Sequence, residues 1–149
     1  MKLIIGADHA GYELKEKLKP WLVGLGHEVI DVGAYVLDNA DDYPDFVAPL
    51  VEKVLEDPDE IRGIFCGGSG QGEAIMANRS RNIRAVVYAH HDLSIIKVMR
   101  TDSNSNFFSI GARFISESEA KEAITSWLSI SFDPESRHAR RLAKLESNT

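Results

Sequence analysis

The chain has 149 residues, a length that fits one domain able to bury about 70% of the surface of its unfolded chain. A net charge of −6 argues against a nucleic-acid or anionic-membrane partner. The single cysteine, Cys66, excludes an intrachain disulfide, and the N-terminus and the apolar runs are too short for a signal peptide or a membrane span, so we expect a cytoplasmic protein.

Short apolar runs alternate with longer helical patterns along the chain. Strands are predicted at Lys2–Ala7, Glu28–Val32, Gly63–Cys66, Arg84–Ala89 and Phe107–Ile110. Helices are predicted at about Gly11–Leu25, Tyr43–Glu56, Gly72–Arg79, Leu93–Arg100, Glu117–Ser129 and Pro134–Glu146. Most strands are almost continuously hydrophobic, which favours burial on both faces. The alternation predicts a doubly wound, Rossmann-like, three-layer α/β/α fold with a five-stranded parallel sheet.

Two helices carry further signals. The core-facing side of the first helix is predicted from apolar residues at helical spacing: Leu14, Leu18, Trp21, Leu22 and Leu25. Gly26 is placed to end that helix as a C′ glycine. Ser116 and Glu119 have the spacing of a capping box, which predicts the start of the fifth helix.

Ligands of doubly wound sheets bind at the carboxyl ends of the strands. Polar or glycine-rich segments follow four of the predicted strands: Asp8-His9, Gly67–Glu73, His90-His91 and Gly111–Arg113. Asp8 has two interpretations, because it could cap the first helix or, together with His9, bind ligand hydroxyls and move a proton.

Residues 66–73 read Cys-Gly-Gly-Ser-Gly-Gln-Gly-Glu, between a predicted strand and a helix. Glycines let a ligand approach the backbone amides, which suits an anion or a developing oxyanion; a flexible connection is the alternative. The dinucleotide fingerprint fails because Glu73 stands where its third glycine belongs, and the P-loop lacks its Gly-Lys-Ser/Thr ending.

Glu73 falls in the first turn of the predicted third helix, where a carboxylate suits the helix dipole. Beside an oxyanion pocket the same carboxylate is a candidate general base, because proton abstraction next to a carbonyl needs a base on carbon and donors on oxygen. Cys66, at the strand end, is expected to pack as a small core residue.

Three arginines are candidates for holding a phosphate group, because the guanidinium matches its geometry. Arg137 and Arg141 share one helix face, for which a solvated basic surface is the alternative, and Arg113 follows the fifth strand. The last helix departs from the strand–helix alternation, and we expect it to reach a partner subunit. The five histidines show no spacing with cysteine or carboxylate typical of a metal site, so no metal is expected.

Six motifs follow one another along the chain: Gly6–Gly11, Asp42–Pro44, Gly67–Asn78, Asn82–Ala85, Ile110–Arg113 and Arg137–Arg141. With these motifs the chain resembles, over nearly its whole length, the type B ribose-5-phosphate isomerases and their galactose-6-phosphate isomerase relatives. The resemblance implies a cofactor-free aldose–ketose isomerase of a sugar phosphate, acting through a cis-enediolate. It also implies a homodimer or a tetramer of dimers with active sites at the dimer interface.

One branch of this family uses a cysteine base in the glycine loop, and another uses a glutamate further along. Counting back from Asn78, the cysteine position falls on Gly67 and the glutamate position on Glu73, which implies the glutamate branch. The resemblance assigns the enediolate oxygens to Ser69 and the loop amides, at Gly67, Gly68, Gly70, Gln71 and Gly72. The resemblance also implies that Asp8 and His9 contact the sugar and that His138 lies beside the substrate. It further implies that the phosphate is held by Arg113, Arg137 and Arg141.

Position 102 departs from the family pattern. The ribose-5-phosphate enzymes usually have His-Asn there to open the furanose ring, whereas this chain has Asp102-Ser103. An exposed aspartate, with a pKa near 4, is a poor general base near neutrality. Either His90 or His91 supplies the imidazole, or the substrate needs no ring opening, as is true of a tetrose 4-phosphate.

The resemblance implies ribose 5-phosphate and ribulose 5-phosphate as the expected pair, with Glu73, Ser69, Asp8 and Asp102 as the candidate catalytic residues. A tetrose 4-phosphate or a hexose 6-phosphate is the alternative substrate. The rivals from other classes are a protein that binds sugar phosphate without turnover and a nucleotide-binding domain.

Overall fold

Strands and helices alternate along the chain in the computed structural model, which describes residues 1–148. The strands are β1 (Lys2–Ala7), β2 (Glu28–Asp31), β3 (Arg62–Gly67), β4 (Ala85–Tyr88) and β5 (Phe107–Gly111). The helices are α1 (Tyr12–Gly24), α2 (Pro44–Leu55), α3 (Gln71–Ala77), α4 (Ser94–Thr101), α5 (Glu117–Ser129) and α6 (Arg137–Ser147). Position 149, the end of the predicted domain, lies outside the described residues.

The strands form one parallel sheet in the order β2-β1-β3-β5-β4. The prediction of a doubly wound three-layer α/β fold is confirmed. The three central strands end side by side, since the register pairs Ala7 with Cys66 and Gly67 with Gly111. The segments that follow β1, β3 and β5 therefore begin next to one another at one edge of the sheet.

Apolar cores cover both faces of the sheet. On one face α1, α4 and α5 pack on the strands, and the rings of Phe108 and Trp127 stack with centroids 4.9 Å apart. On the other face α2 and α3 pack around Leu50 and Phe65. Helix α6 has no buried residue, as expected for a helix outside the alternating pattern.

Burial differs between central and edge strands. β1, β3 and β5 are almost completely buried, whereas most residues of β2 and β4 are only half-buried. The hydrophobic runs predicted burial on both faces for most strands, and this holds only for the central three. An edge strand has a neighbour on one side alone, which leaves part of its surface uncovered.

Helix α1 follows its predicted face except at the C-terminal end. Leu18 and Leu22 are completely buried, as predicted. Leu25 is 53% exposed, so its assignment to the core was wrong. Helix α1 ends at Gly24, and Gly26 has a φ of 87°, so the chain turns away from the core beside Leu25.

Helix α5 has the predicted boundaries and the predicted capping box. The Ser116 hydroxyl accepts the N–H of Glu119, and the Glu119 carboxylate accepts the N–H of Ser116. Helix α6 begins at Arg137, three residues later than predicted, after an N-cap at Ser136. Among residues 1–148 no helix has the length and apolarity that crossing a membrane requires.

Candidate active site

Three segments meet at the carboxyl edge of the sheet. Asp8 and His9 follow β1, the glycine loop (residues 67–72) follows β3, and Arg113 follows β5. The N–H of Arg113 donates to the carbonyl of Gly68 over 3.1 Å, which ties the loop to the segment after β5. The structure thus brings residues 67–73 together with three predicted site residues, namely Asp8, His9 and Arg113.

The glycine loop has one defined shape. Gly70 has a φ of 79°, a region that favours glycine, and its carbonyl accepts the buried hydroxyl of Ser109 over 2.8 Å. A Cβ added at Gly67 would overlap the carboxylate of Glu73. Glycine at position 67 therefore leaves the space that the Glu73 side chain fills.

Glu73 is one of two buried acids in the site; the other is Asp8. It lies in the first turn of α3 and is 4% exposed. Burial raises the pKa of its carboxyl, the neighbouring charge of Asp8 adds to the increase, and the amides of Glu73 itself and of Gly68 act in the opposite direction. A carboxyl with a raised pKa is matched to proton transfer nearer neutrality than an exposed glutamate.

Asp8 closes the turn that leads into α1. Its Oδ1 accepts the N–H groups of Ala10 at 2.9 Å and Gly11 at 3.2 Å. The side chain therefore has the local capping role that was one of its two interpretations. Burial raises the pKa of the Asp8 carboxyl, although both amides and the charge of His9 lower it.

His9 is held by Asp41, a residue from the segment after β2. One carboxylate oxygen of Asp41 lies 2.6 Å from Nδ1 of His9 and accepts the main-chain N–H of His9 over 3.0 Å. The hydrogen bond to Asp41 raises the pKa of His9, Asp8 adds to the increase, and Arg113 acts against it. The Asp41 carboxylate thus holds the imidazole in position and raises its pKa.

Ser69 and Arg113 occupy the outer side of the loop. The Ser69 hydroxyl is exposed and accepts the N–H of Gln71 over 3.3 Å. Among residues 1–148, the amides of Ser69 and Gly70 donate to no acceptor. A Cβ added at Gly68 would lie 3.3 Å from Nη1 of Arg113, so this guanidinium rests against the loop.

Cys66 is completely buried at the end of β3. Burial raises the pKa of its thiol. Such a cysteine is a packing residue rather than a nucleophile or a base, in agreement with the sequence-based expectation.

The remaining predicted site residues form a second group. His138 Nε2 lies 3.6 Å from a carboxylate oxygen of Asp102 and 3.3 Å from Nε of Arg137. Ser103 lines a cavity of about 370 Å³ with residues of α6, and Arg141 lies exposed on that helix.

The second group lies at the opposite edge of the sheet from Glu73. Asp102 caps the C-terminal end of α4, which returns the chain to the start of β5. In a parallel sheet a crossover helix ends near the amino end of the next strand. Within one chain, Asp102 and Arg137 are therefore not brought to the glycine loop.

The histidines after β4 were the sequence-based candidates for the ring-opening imidazole. His91 bonds through Nδ1 to the carboxylate of Glu119, at the start of α5. Among the described residues no group of three or more histidine, cysteine, aspartate and glutamate side chains is arranged to hold a metal ion.

Sequence reasoning missed Asp41 and Tyr43 as site residues. A Cβ added at Gly72 would lie 2.8 Å from the Tyr43 hydroxyl, so this ring packs directly on the glycine loop. Both residues belong to the long segment after β2, which was not among the four strand ends considered. Because β2 lies beside β1, its carboxyl end reaches the same edge, and the acidic run in that segment was the available signal.

Comparison with known proteins places this geometry in a family. Residues 3–145 match the ribose/galactose isomerase family. The chain belongs to this family. It is 35% identical over 142 residues to ribose-5-phosphate isomerase B of Mycobacterium tuberculosis, covering 95% of this chain and 86% of the relative.

The chain is also similar to two further sugar-phosphate isomerases. The chain is 31% identical over 144 residues to D-erythrulose-4-phosphate isomerase 2 of Mycolicibacterium smegmatis, covering 95% of this chain and 93% of the relative. Its structure is similar to that of ribose-5-phosphate isomerase B from Mycoplasma genitalium with bound ribulose-5-phosphate. The TM-score is 0.93 at 28% identity, over 99% of this chain and 95% of the other.

Proposed function

We propose that the chain is a cofactor-free isomerase that interconverts an aldose phosphate and its ketose, with ribose 5-phosphate and ribulose 5-phosphate as the substrate pair. The names of the M. tuberculosis and M. genitalium relatives support the pair. The observation that carries the proposal is the buried carboxyl of Glu73, whose pKa is raised at the carboxyl edge of the sheet.

Glu73 is the proton carrier in this mechanism. Its carboxylate takes the proton from C2 of the open-chain aldose, which gives a cis-enediolate, and returns it to C1 to give the ketose. The matching hydroxyl proton passes between the two oxygens, so the atoms balance without a redox partner. The Ser69 hydroxyl and the amides of Ser69 and Gly70 donate to the enediolate oxygens in this mechanism. The lack of an acceptor for these two amides among residues 1–148 supports that role.

Binding of the substrate's phosphate group positions the reacting carbons. Arg113 rests on the glycine loop of the same chain. Arg137 and Arg141 lie on α6, far from that loop within one chain, and complete the site when they come from a second copy. A homodimer with active sites at its interface therefore supplies the three arginines to one phosphate.

The Glu73→Gln variant tests the base. We expect it to bind sugar phosphate but to lose about 10³-fold in kcat, because the amide keeps the shape and cannot accept the proton. The same variant should no longer catalyse exchange of the C1 proton of ribulose 5-phosphate with deuterium oxide, measured by NMR. Glu52→Gln, a matched change of an exposed acid on α2, is the control.

The outcome separates the classes of function. Wild-type protein that binds sugar phosphate and exchanges no proton is a binding protein rather than an isomerase. Exchange that persists unchanged in Glu73→Gln contradicts the assignment of the base.

A tetrose 4-phosphate is the second candidate substrate, favoured by Asp102. In the ribose-5-phosphate enzymes this position usually carries the ring-opening histidine. A tetrose 4-phosphate cannot close a furanose ring through its phosphorylated oxygen, so it needs no such group. The match to a D-erythrulose-4-phosphate isomerase supports this reading.

Comparing kcat/KM for erythrose 4-phosphate and ribose 5-phosphate decides between the two. If ring opening limits the pentose, erythrose 4-phosphate is the better substrate, and Asp102→His raises kcat/KM for ribose 5-phosphate alone. A higher kcat/KM for ribose 5-phosphate than for erythrose 4-phosphate rules out the tetrose as the preferred substrate. Robust wild-type turnover of ribose 5-phosphate, with no gain in Asp102→His, shows that another group opens the ring.

A further inference from the structure

The pair formed by Asp41 and His9 carries an inference beyond the proton carrier and the phosphate arginines. A single oxygen, Oδ1 of Asp41, binds both the main-chain N–H and Nδ1 of His9, at 3.0 and 2.6 Å. Because these two contacts hold both the main chain and the ring of His9, they restrict the side chain to one orientation. Asp41 therefore fixes where the imidazole points.

The same contact decides which ring nitrogen carries a proton. An ionised carboxylate only accepts hydrogen bonds, so Nδ1 of His9 must be the donor. Nε2 has no partner among residues 1–148, and the His9 side chain is 29% exposed. Nε2 is thus the atom that His9 offers to a bound molecule.

Charge compensation favours the protonated ring. The Asp41 side chain is only 8% exposed, and its second oxygen, Oδ2, is buried without a hydrogen-bond partner in the described part of the chain. His9 is the one ion-pair partner of Asp41 in that part of the chain. A buried carboxylate is costly unless a cation neutralises it, and the imidazolium of His9 is that cation.

We propose that Asp41 is a positioning residue: its carboxylate accepts the Nδ1–H of His9 and so directs the protonated Nε2 toward an anionic oxygen of the bound sugar phosphate. This inference rests on the proposed function for the identity of the ligand. Arg113, the neighbouring cation that acts on His9, adds to the positive field at the same place. An anion is the ligand that two adjacent cations favour.

The proposal gives His9 a pH-dependent role. The charged groups that act on its ring are Asp41 and Asp8, which raise its pKa, and Arg113, which lowers it; the hydrogen bond to Asp41 has the largest effect. His9 is charged below its pKa and neutral above it, so kcat/KM should fall as the pH rises through that pKa. Removing the charge of Asp41 lowers the pKa and moves this fall to lower pH.

The decisive variant is Asp41→Asn, which keeps the size of the side chain and removes its charge. We expect the basic limb of the kcat/KM profile for ribose 5-phosphate to move toward acid by about one pH unit. On that limb the variant should be about tenfold less active than wild type, and at acid pH the two should converge. Asp38→Asn, a change of an exposed acid in the same segment, is the matched control.

A loss by the same factor at every pH, or an unchanged profile, overturns the proposal, because a purely structural role has no pH signature. NMR of the ligand-free protein tests the pair separately from turnover. The ring nitrogens of His9, assigned with His9→Gln, should titrate at lower pH in Asp41→Asn. An unchanged titration also overturns the proposal, whereas absent wild-type turnover with a shifted titration contradicts the proposed function instead.

Discussion

The Glu73 carboxylate occupies the space that a side chain at position 67 would need, so glycine is required there. Because a Cβ at position 67 would overlap the Glu73 carboxylate, Gly67→Ala should displace the proposed proton carrier without disturbing the strand. A displacement of about 1 Å at a reacting group costs on the order of 100-fold in rate. We expect a loss of that size in kcat, measured with ribose 5-phosphate, and little change in the unfolding midpoint.

Gly24→Ala is the control for that prediction. A Cβ added at Gly24 meets nothing within 4 Å, and this helical position should gain about 0.5–1 kcal/mol of stability with full activity. Full activity of Gly67→Ala would show that Glu73 does not need the place it holds in this structure.

The residue scale also shows what the sequence could reveal of the site. Glu73 and its glycine loop are contiguous in sequence, so their pattern predicted a shared role, and the structure places them together. Asp41 and His9 are 32 positions apart, and no local pattern joins them. Only the order of the strands places the segment after β2 beside the end of β1.

At the scale of elements, the fold was more predictable than the site because its signals are local. Alternating apolar runs and the capping box depend on neighbours within a few residues, and they predicted the elements and the start of α5 correctly. Burial at the ends of elements depends on distant contacts. Leu25 and the two edge strands were accordingly the places where the predicted burial differed from the structure.

One buried ion pair links α1 to the end of β2. Lys15 is completely buried, and its Nζ lies 2.8 Å from both carboxylate oxygens of Asp31 and 2.6 Å from the carbonyl of Ala34. Asp31→Asn leaves the buried ammonium with weaker compensation, and we expect it to lower the free energy of unfolding by about 3 kcal/mol. Urea unfolding measures this, with Asp45→Asn on the surface of α2 as the control.

The effect of Asp31→Asn should depend on pH. Burial alone would raise the pKa of Asp31, but the hydrogen bonds from Lys15 and Lys19 outweigh it and hold the pKa below its ordinary value. A carboxyl with a lowered pKa stabilises the fold above its unfolded pKa, near 4, and loses that contribution as the pH falls through its folded value. The difference between wild type and variant should therefore shrink below about pH 4; a constant difference would contradict the ion pair as its source.

At the scale of the whole molecule, the predicted site residues lie at opposite edges of one sheet. Glu73 and Arg113 lie at the carboxyl edge, whereas Asp102 and Arg137 lie beyond the C-terminal end of α4. In a two-fold symmetric dimer, the carboxyl edge of each copy, with Glu73, can face the opposite edge of its partner, with Arg137. This arrangement gives two equivalent sites. The sequence could not show this separation, because it depends on where a crossover helix returns the chain.

Heterodimers provide the test of that arrangement. Glu73→Gln and Arg137→Ala, expressed together and purified through two different tags, should give dimers in which one site has both defects and the other has none. About half of the wild-type activity should return, although we expect each variant alone to be nearly inactive. The matched pair Glu73→Gln and Arg113→Ala should recover nothing, because both residues belong to the same copy's part of the site and each site then has one defect. Equal recovery in the two pairs, or full activity from a monomer in sedimentation analysis, would show that α6 of a second copy does not complete the site.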